Sequence, residues 1–217
     1  MPPLPYLLTT THNHPTSSGI SLALARLLAA RGQKISIADI SQANLDKASD
    51  TMQSLNASGK DVFATKVNLR DFSAVHSRRQ STVDALGEIK GAANLAAVHA
   101  SSFIAELEAE IRDQVTGVDS TGLMHYLNAE GSLMTAGDCI VDAFSVSGLR
   151  GQAENAAFCA SEHAVVDLTQ AAATEGGPKG IRVNFVVPRF AETLVFWKRR
   201  GSGRVVRRLR CGLRLCR

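Results

Sequence analysis

The chain has 217 residues, 45% of them hydrophobic and 20% charged, with a formal net charge of +4. That length suits one domain with a sizeable core, the composition is that of a globular rather than a disordered protein, and no apolar run approaches the roughly 18 to 20 residues of a membrane-spanning helix. Nine of the 24 basic residues fall in Lys198–Arg217, where no acidic residue occurs, so the first 197 residues hold 15 basic against 20 acidic and only the tail offers a surface to nucleic acid.

Pro5–Thr10 reads as a first strand. Gly19–Ala30 reads as a helix, with Ile20, Ala23, Leu24, Leu27 and Leu28 at helical spacing and Gly32 placed to end it. Lys34–Ala38 sets Ile35 and Ile37 in alternation, a second strand, and Ser41 is positioned to cap a helix that runs to Leu55. Asp61–Val67 is a third strand, Asp71–Leu86 a helix and Gly91–Leu95 a short, buried fourth strand. A long interrupted helical region covers Phe103–Ala129, followed by a fifth strand at Asp138–Phe144, a helix at Ala153–Thr174 and a sixth strand at Ile181–Val187, ended by Pro188. Strand alternating with helix at this spacing implies parallel strands joined by right-handed crossovers. The expected fold class is α/β, a doubly wound, Rossmann-type parallel sheet in a single domain over residues 1–197. Past Thr193 the periodicity fails, and 198–217 is expected to be a disordered, Arg-rich tail.

Met1–Leu8 has no basic residue ahead of its apolar ones, which argues against a secretory signal. The four cysteines, Cys139, Cys159, Cys211 and Cys216, have no paired metal spacing and are too few for a disulfide framework. A reduced, cytoplasmic protein without a metal or a membrane partner is expected.

In a doubly wound sheet, ligands bind beyond the carboxyl ends of the strands. The first strand-to-helix turn, His12 to Ser21, keeps one glycine, Gly19, where backbone can approach a phosphate at a helix N-terminus; alone, that glycine equally suits any strand-turn-helix. His12 and His14 lie in this turn, as phosphate contacts or, more simply, as solvated loop histidines. Asp39 ends the second strand, twenty residues after Gly19. A carboxylate there accepts hydrogen bonds from an adenosine ribose and repels a 2′-phosphate, which favours NAD over NADP. Capping of the following helix is its alternative role.

Further segments fall into the same order. They are Thr16-Ser17-Ser18-Gly19-Ile20 in the first turn, Asn68 within Val67–Asp71, and Ala93-Asn94-Leu95-Ala96 after the fourth strand. Ile140–Gly148 follows, carrying Ser145, and then Ile181-Arg182-Val183-Asn184 with Pro188 and Thr193 beyond it. With this order and spacing the chain resembles the short-chain dehydrogenase/reductase family over residues 6–193. The resemblance implies hydride transfer between NAD or NADP and a small carbonyl or alcohol substrate. It puts Ser18, Gly19, Ile20, Asp39, Asn68, Asn94, Ala96, Pro188 and Thr193 on the cofactor and Ser145 on the substrate oxygen. It also implies a tyrosine as general acid/base with a lysine lowering its pKa, an asparagine holding a relay water, and a homo-oligomer packed through the Ala153–Thr174 helix. The cofactor carries the redox step and the protein manages position and proton.

The chain departs from that pattern where the chemistry is densest. Thirteen residues after Ser145, where the tyrosine is expected, stands Phe158; four further on, where the lysine is expected, stands Glu162. That spacing puts both on one helix face. Asp119 takes the asparagine's place, Pro15 and Ser21 the first and third glycines of the turn, and Arg189 the glycine after Pro188. Phe158 has no proton to give, and Glu162 brings negative charge where a cation is expected. Loss of a general acid/base removes about 10²- to 10⁴-fold in rate, so activity by the usual mechanism is expected to be very low and cofactor binding weakened. The alternative is a non-catalytic nucleotide-binding pseudoenzyme or a dimerising partner of an intact relative. His163 lies about 100° around the helix from Glu162, and Cys159 is expected to pack. The family's substrate-covering helix and last strand have no counterpart after Thr193. Lys198–Arg217 reads as an altered C-terminus, such as a shifted reading frame produces, or as an anion-binding tail.

Overall fold

The computed structural model describes residues 5–9, 19–55 and 61–188, with backbone alone at 7–9. Ser18, Thr193, His12, His14, Pro15, Arg189 and the basic segment 198–217 lie outside the described residues.

Alternating strands and helices follow in chain order: β1 (Pro5–Thr9), α1 (Gly19–Ala30), β2 (Lys34–Asp39), α2 (Gln42–Gln53), β3 (Val62–Lys66), α3 (Phe72–Leu86) and β4 (Gly91–Asn94). They continue with α4 (Ala109–Thr116), α5 (Gly122–Gly131), β5 (Cys139–Ala143), α6 (Ala156–Gly176) and β6 (Arg182–Val186). The six strands make one sheet in the order β3-β2-β1-β4-β5-β6, and every pairing is parallel. The doubly wound architecture expected from the sequence is thus present, with its direction of winding reversing between β1 and β4. Helices cover both faces. Ile35 and Ile37 of β2, fully buried, meet Ala25 and Ala29 of α1 and Leu45 and Met52 of α2 on one side. Val75 of α3 and Tyr126 and Ala129 of α5 pack with Ala92 and Ile140 on the other. Full burial of each isoleucine is worth about 1.5–3 kcal/mol, which is what the alternation in Lys34–Asp39 encodes.

Local chemistry explains the boundaries. α1 closes in a Schellman pair, Gly32 N–H to Ala29 carbonyl (2.9 Å) and Gln33 N–H to Leu28 carbonyl (3.1 Å), with Gly32 at φ +70°, as its glycine predicts. α3 starts on Asp71, whose carboxylate accepts from Ala74 N–H at 3.0 Å. Ser41 sits at the N-cap of α2 but makes no side-chain capping bond; instead Asp39 accepts from Ser41 N–H at 2.8 Å. The helical region expected over Phe103–Ala129 resolves into a 3₁₀ turn (Ile104–Glu106), α4, a five-residue π turn (Gly117–Thr121) and α5. α6 begins at Ala156, three residues later than the apolar pattern predicts. Glu154 has φ +63°, the one positive φ outside glycine among the described residues, and it holds 153–155 out of the helix.

A short 3₁₀ turn after β5 (Val146–Gly148) packs directly on α6. A Cβ at Gly148 would lie 2.6 Å from the Glu162 carbonyl oxygen and 2.9 Å from Phe144 Cδ2. Because one of those contacts is backbone, Gly148→Ala is expected to lower stability by about 1–3 kcal/mol, read as a fall in the urea midpoint at unchanged slope.

Candidate active site

Strand register sets the site. Thr9 of β1 aligns with Ala38 of β2 and Asn94 of β4, and Asn94 aligns with Asp142 of β5. The carboxyl ends of the central strands therefore share one rim. Asp39, Asn94 and the segment leading to Ser145 lie along it, and Gly19, at φ +79°, opens α1 from the same edge.

Ser145 follows β5 and is half-buried. Its Oγ accepts from Ser147 N–H and donates to Ser147 Oγ, both at 3.2 Å. Its own N–H donates to the Glu162 carboxylate. Glu162 is 1% exposed, and burial drives its pKa up to about 7 against the pull of that N–H. One turn earlier on α6, Phe158 packs with Val98, Val115 and Ala157. Asp119 reaches the same region from the π turn, a feature that often marks functional sites. Its two oxygens accept from Val98 N–H (2.7 Å) and Ser161 Oγ–H (3.0 Å). Burial first, and Glu162 besides, hold the Asp119 carboxyl well above the usual range, with the Val98 and Ser161 bonds opposing.

A second acidic group lies beneath. Asn94 Nδ2 donates to Glu130 (3.1 Å) and to Asp142 (2.9 Å), and Thr169 Oγ1 donates to the other Asp142 oxygen at 2.8 Å. Burial raises Asp142 to about 6, against the Asn94 and Thr169 bonds. It raises Glu130 to about 8, with Asp142 adding to the rise and Asn94 and Arg78 opposing it. A cavity of about 10 Å³ has Asn94, Asp119 and Tyr126 in its wall, room for about one water.

The loop after β4 carries His99. His99 Nε2 and Asn155 Oδ1 lie 2.7 Å apart, and the His99 ring meets the Phe158 ring edge-on, centroids 4.9 Å apart at 75°.

Of the residues singled out in the sequence, Ser145, Phe158, Glu162 and Asp119 converge. Asn94 sits behind them with its amide engaged in the acidic group, and Ala96 lines the cavity. Asp39, fully buried, marks the far end of the rim. Asn68 is exposed and accepts from Arg70 N–H (3.1 Å); Ile20 is 40% exposed, and Pro188 ends the described chain half-buried beyond β6. His163 is exposed, bonded through Nδ1 to the Cys159 carbonyl (2.7 Å), and Cys159 is buried. Sequence reasoning missed His99, Asn155, Glu130 and Asp142. Only Asp142 left a readable signal, an acid inside the apolar run Cys139–Phe144.

A family model described as Enoyl-(Acyl carrier protein) reductase matches residues 16–210. Short-chain dehydrogenase/reductase aba4 of Botryotinia fuckeliana (strain B05.10) is 39% identical over 178 residues, which cover 80% of this chain and 68% of that protein. The chain belongs to the short-chain dehydrogenase/reductase family. Meso-2,3-butanediol dehydrogenase of Serratia marcescens is another similar member, 31% identical over 81% of this chain and 68% of its own length. The chain thus spans about two thirds of the length of these relatives. Two solved structures share its fold. That of levodione reductase matches at TM-score 0.81 and 26% identity, over 89% of this chain and 75% of the other. That of a short-chain dehydrogenase/reductase from Burkholderia phymatum, in complex with NAD, matches at 0.78 and 26%, over 88% and 67%.

The donor set of this short-chain dehydrogenase/reductase fits an adenine dinucleotide at the adenosine end. There Asp39, fully buried at the end of β2, accepts from Ser41 N–H at 2.8 Å and is the carboxylate that would face an adenosine ribose. Near Ser145 the structure gathers two buried carboxyls, Glu162 and Asp119, and the buried Phe158 ring. No helix among the described residues is long and apolar enough to cross a membrane.

Proposed function

We propose that this family member is a weakly active NAD-dependent oxidoreductase acting on a small alcohol or carbonyl compound. The observation that carries the proposal is the common rim, with Asp39 at one end of it and Ser145 at the other. Asp39 disfavours a 2′-phosphate, which argues for NAD over NADP. A nicotinamide dinucleotide, when bound, would supply the hydride acceptor or donor; the chain's own residues would hold its ribose through Asp39 and orient the substrate oxygen through Ser145. The impairment is argued from Phe158 and Glu162, whose carboxylate is already committed to Ser145 N–H. That commitment also favours the second reading, a nucleotide-binding pseudoenzyme or partner subunit. A cytoplasmic homo-oligomer packed through α6 completes the proposal, with 198–217 as a basic appendage.

Calorimetry with NADH and NADPH, and turnover of meso-2,3-butanediol with NAD, test it. NADH is expected to bind more tightly than NADPH, with turnover measurable and far below family-typical rates. Family-typical rates would refute the impairment, and failure to bind either nucleotide would refute the reading as a whole.

A further inference from the structure

We infer, resting on the oxidoreductase reading above, that Ser147 braced by Gln152 is a positioning residue that sets the direction of the Ser145 hydroxyl. That direction favours a ligand that donates a hydrogen bond, an alcohol, over one that only accepts, a carbonyl compound. A serine hydroxyl holds one hydrogen and two lone pairs. Ser145 Oγ gives its hydrogen to Ser147 Oγ and takes Ser147 N–H on one lone pair, both at 3.2 Å. Ser147 Oγ takes a second hydrogen from Gln152 Nε2 at 3.1 Å, so both its lone pairs are used. Neither hydroxyl has another partner among the described residues. Toward a ligand, Ser145 therefore keeps one lone pair and no hydrogen.

Burial decides which serine a ligand meets. Ser147 is 5% exposed and Ser145 half-buried, so the oxygen within reach is Ser145 Oγ. The backbone around the pair is tied down on each side. Gly148 N–H donates to the Ser145 carbonyl (2.8 Å) and Leu149 N–H to the Val146 carbonyl (3.2 Å), which closes the turn. Ser145 N–H is held by the Glu162 carboxylate. The Gln152 carbonyl accepts from Asn155 N–H at 3.2 Å, on the approach to α6. With the turn and Gln152 both fixed, Ser147 Oγ stays an acceptor, because an amide nitrogen only donates.

An alcohol places its O–H on the remaining lone pair of Ser145 and leaves the Ser145–Ser147 bond intact. A carbonyl oxygen has no hydrogen to give. To hold it, Ser145 has to turn its own hydrogen away from Ser147 and lose that bond. The difference is one hydrogen bond, a factor of about 10 in affinity.

The test uses the full-length chain and its Ser147→Ala, Ser147→Thr and Gln152→Ala variants. Ligand-observed NMR gives dissociation constants for 2-butanol in the presence of NADH and for 2-butanone in the presence of NAD, pairs that cannot react. The unmodified chain is expected to hold the alcohol more tightly than the ketone. Ser147→Ala is expected to cut that preference by about 10-fold, since Ser145 then has its hydrogen free for the ketone. Gln152→Ala, a change outside the buried turn, is expected to cut it by about 3-fold, since Ser147 is then free to rotate and donate to Ser145. Ser147→Thr keeps an Oγ and is expected to keep the preference. A neutron map of the deuterated protein is expected to place the Ser145 deuterium between the two Oγ atoms. An unchanged preference in folded Ser147→Ala and Gln152→Ala overturns the inference, even where both ligands weaken together, as they would for a merely structural serine. So does a Ser145 deuterium aimed elsewhere. NADH binding with neither ligand held also overturns it and leaves the nucleotide-binding reading standing. Failure of the unmodified chain to bind either dinucleotide sinks the oxidoreductase reading and this inference with it.

Discussion

Phe158→Tyr and Glu162→Lys together are expected to raise turnover with NAD by about 10²- to 10⁴-fold over the unmodified chain, and neither substitution alone is expected to do so. The two residues lie one turn apart on α6 with their side chains toward Ser145 and the cluster of Val98 and Val115. A phenol at 158 supplies the missing hydroxyl, but with Glu162 beside it the local charge resists a phenolate. Lysine at 162 without the phenol has no proton carrier to tune. The pair restores both, and the lysine finds a counter-charge in Asp119, which Glu162 now pushes toward its neutral form. A cost accompanies the gain: Ser145 N–H loses its carboxylate acceptor, and an unsatisfied buried donor costs about 1–3 kcal/mol. The double variant should therefore unfold earlier in urea while turning over faster. Turnover no faster than the unmodified chain, in a double variant that still binds NADH, would show that the site's geometry has drifted beyond repair by two side chains.

The strands and helices were legible because each carries a local signature. Ile35 and Ile37 alternate in β2, Gly32 ends α1 in the only conformation that closes a Schellman pair cheaply, and Asp71 caps α3. Ser145, Phe158, Glu162 and Asp119 were singled out by the family resemblance, and the four-residue step added only that Phe158 and Glu162 share a helix face. What those residues do was not legible. That Glu162 accepts from Ser145 depends on how the turn after β5 packs on α6 through Gly148, a contact between segments seventeen residues apart. Glu130 and Asp142 are bridged by Asn94, which lies 36 and 48 residues away. The π turn at 117–121, which carries Asp119, has no pattern of its own, since it differs from α-helix only in which carbonyl each N–H selects. His99 lies in an aperiodic loop and gains meaning only from Asn155, 56 residues on.

Stability is expected to fall as pH rises from about 5 to about 8, the reverse of ordinary acid denaturation, and Glu162→Gln is expected to flatten that fall. The buried acids set the sign. Glu162 at about 7, Asp142 at about 6 and Glu130 at about 8 all keep their protons to higher pH in the folded chain than the unfolded carboxyls, near 4.5 and 3.8, and Asp119 is raised as well. Below the unfolded values both states are protonated and these groups favour neither. Above them the unfolded chain releases protons that the folded chain retains, so stability drops with each step of pH until the folded carboxyls also ionise, at about 8 for Glu130. Each unit of raised pKa corresponds to about 1.4 kcal/mol, and one kcal/mol moves the melting temperature of a domain this size by about 2–4 °C. Arg78, buried beside Tyr126 and Glu130, moderates the Glu130 contribution; Glu162 has Asp119 beside it and Ser145 N–H as its restraint. Glutamine at 162 still offers an oxygen to that N–H and cannot ionise. Glu162→Gln should therefore match the unmodified chain near pH 5 and melt several degrees higher near pH 8, by differential scanning calorimetry. Parallel pH curves for the two chains would mean that Glu162 already ionises at its unfolded value, and the charge-inverted pocket would be more open to water than its burial indicates.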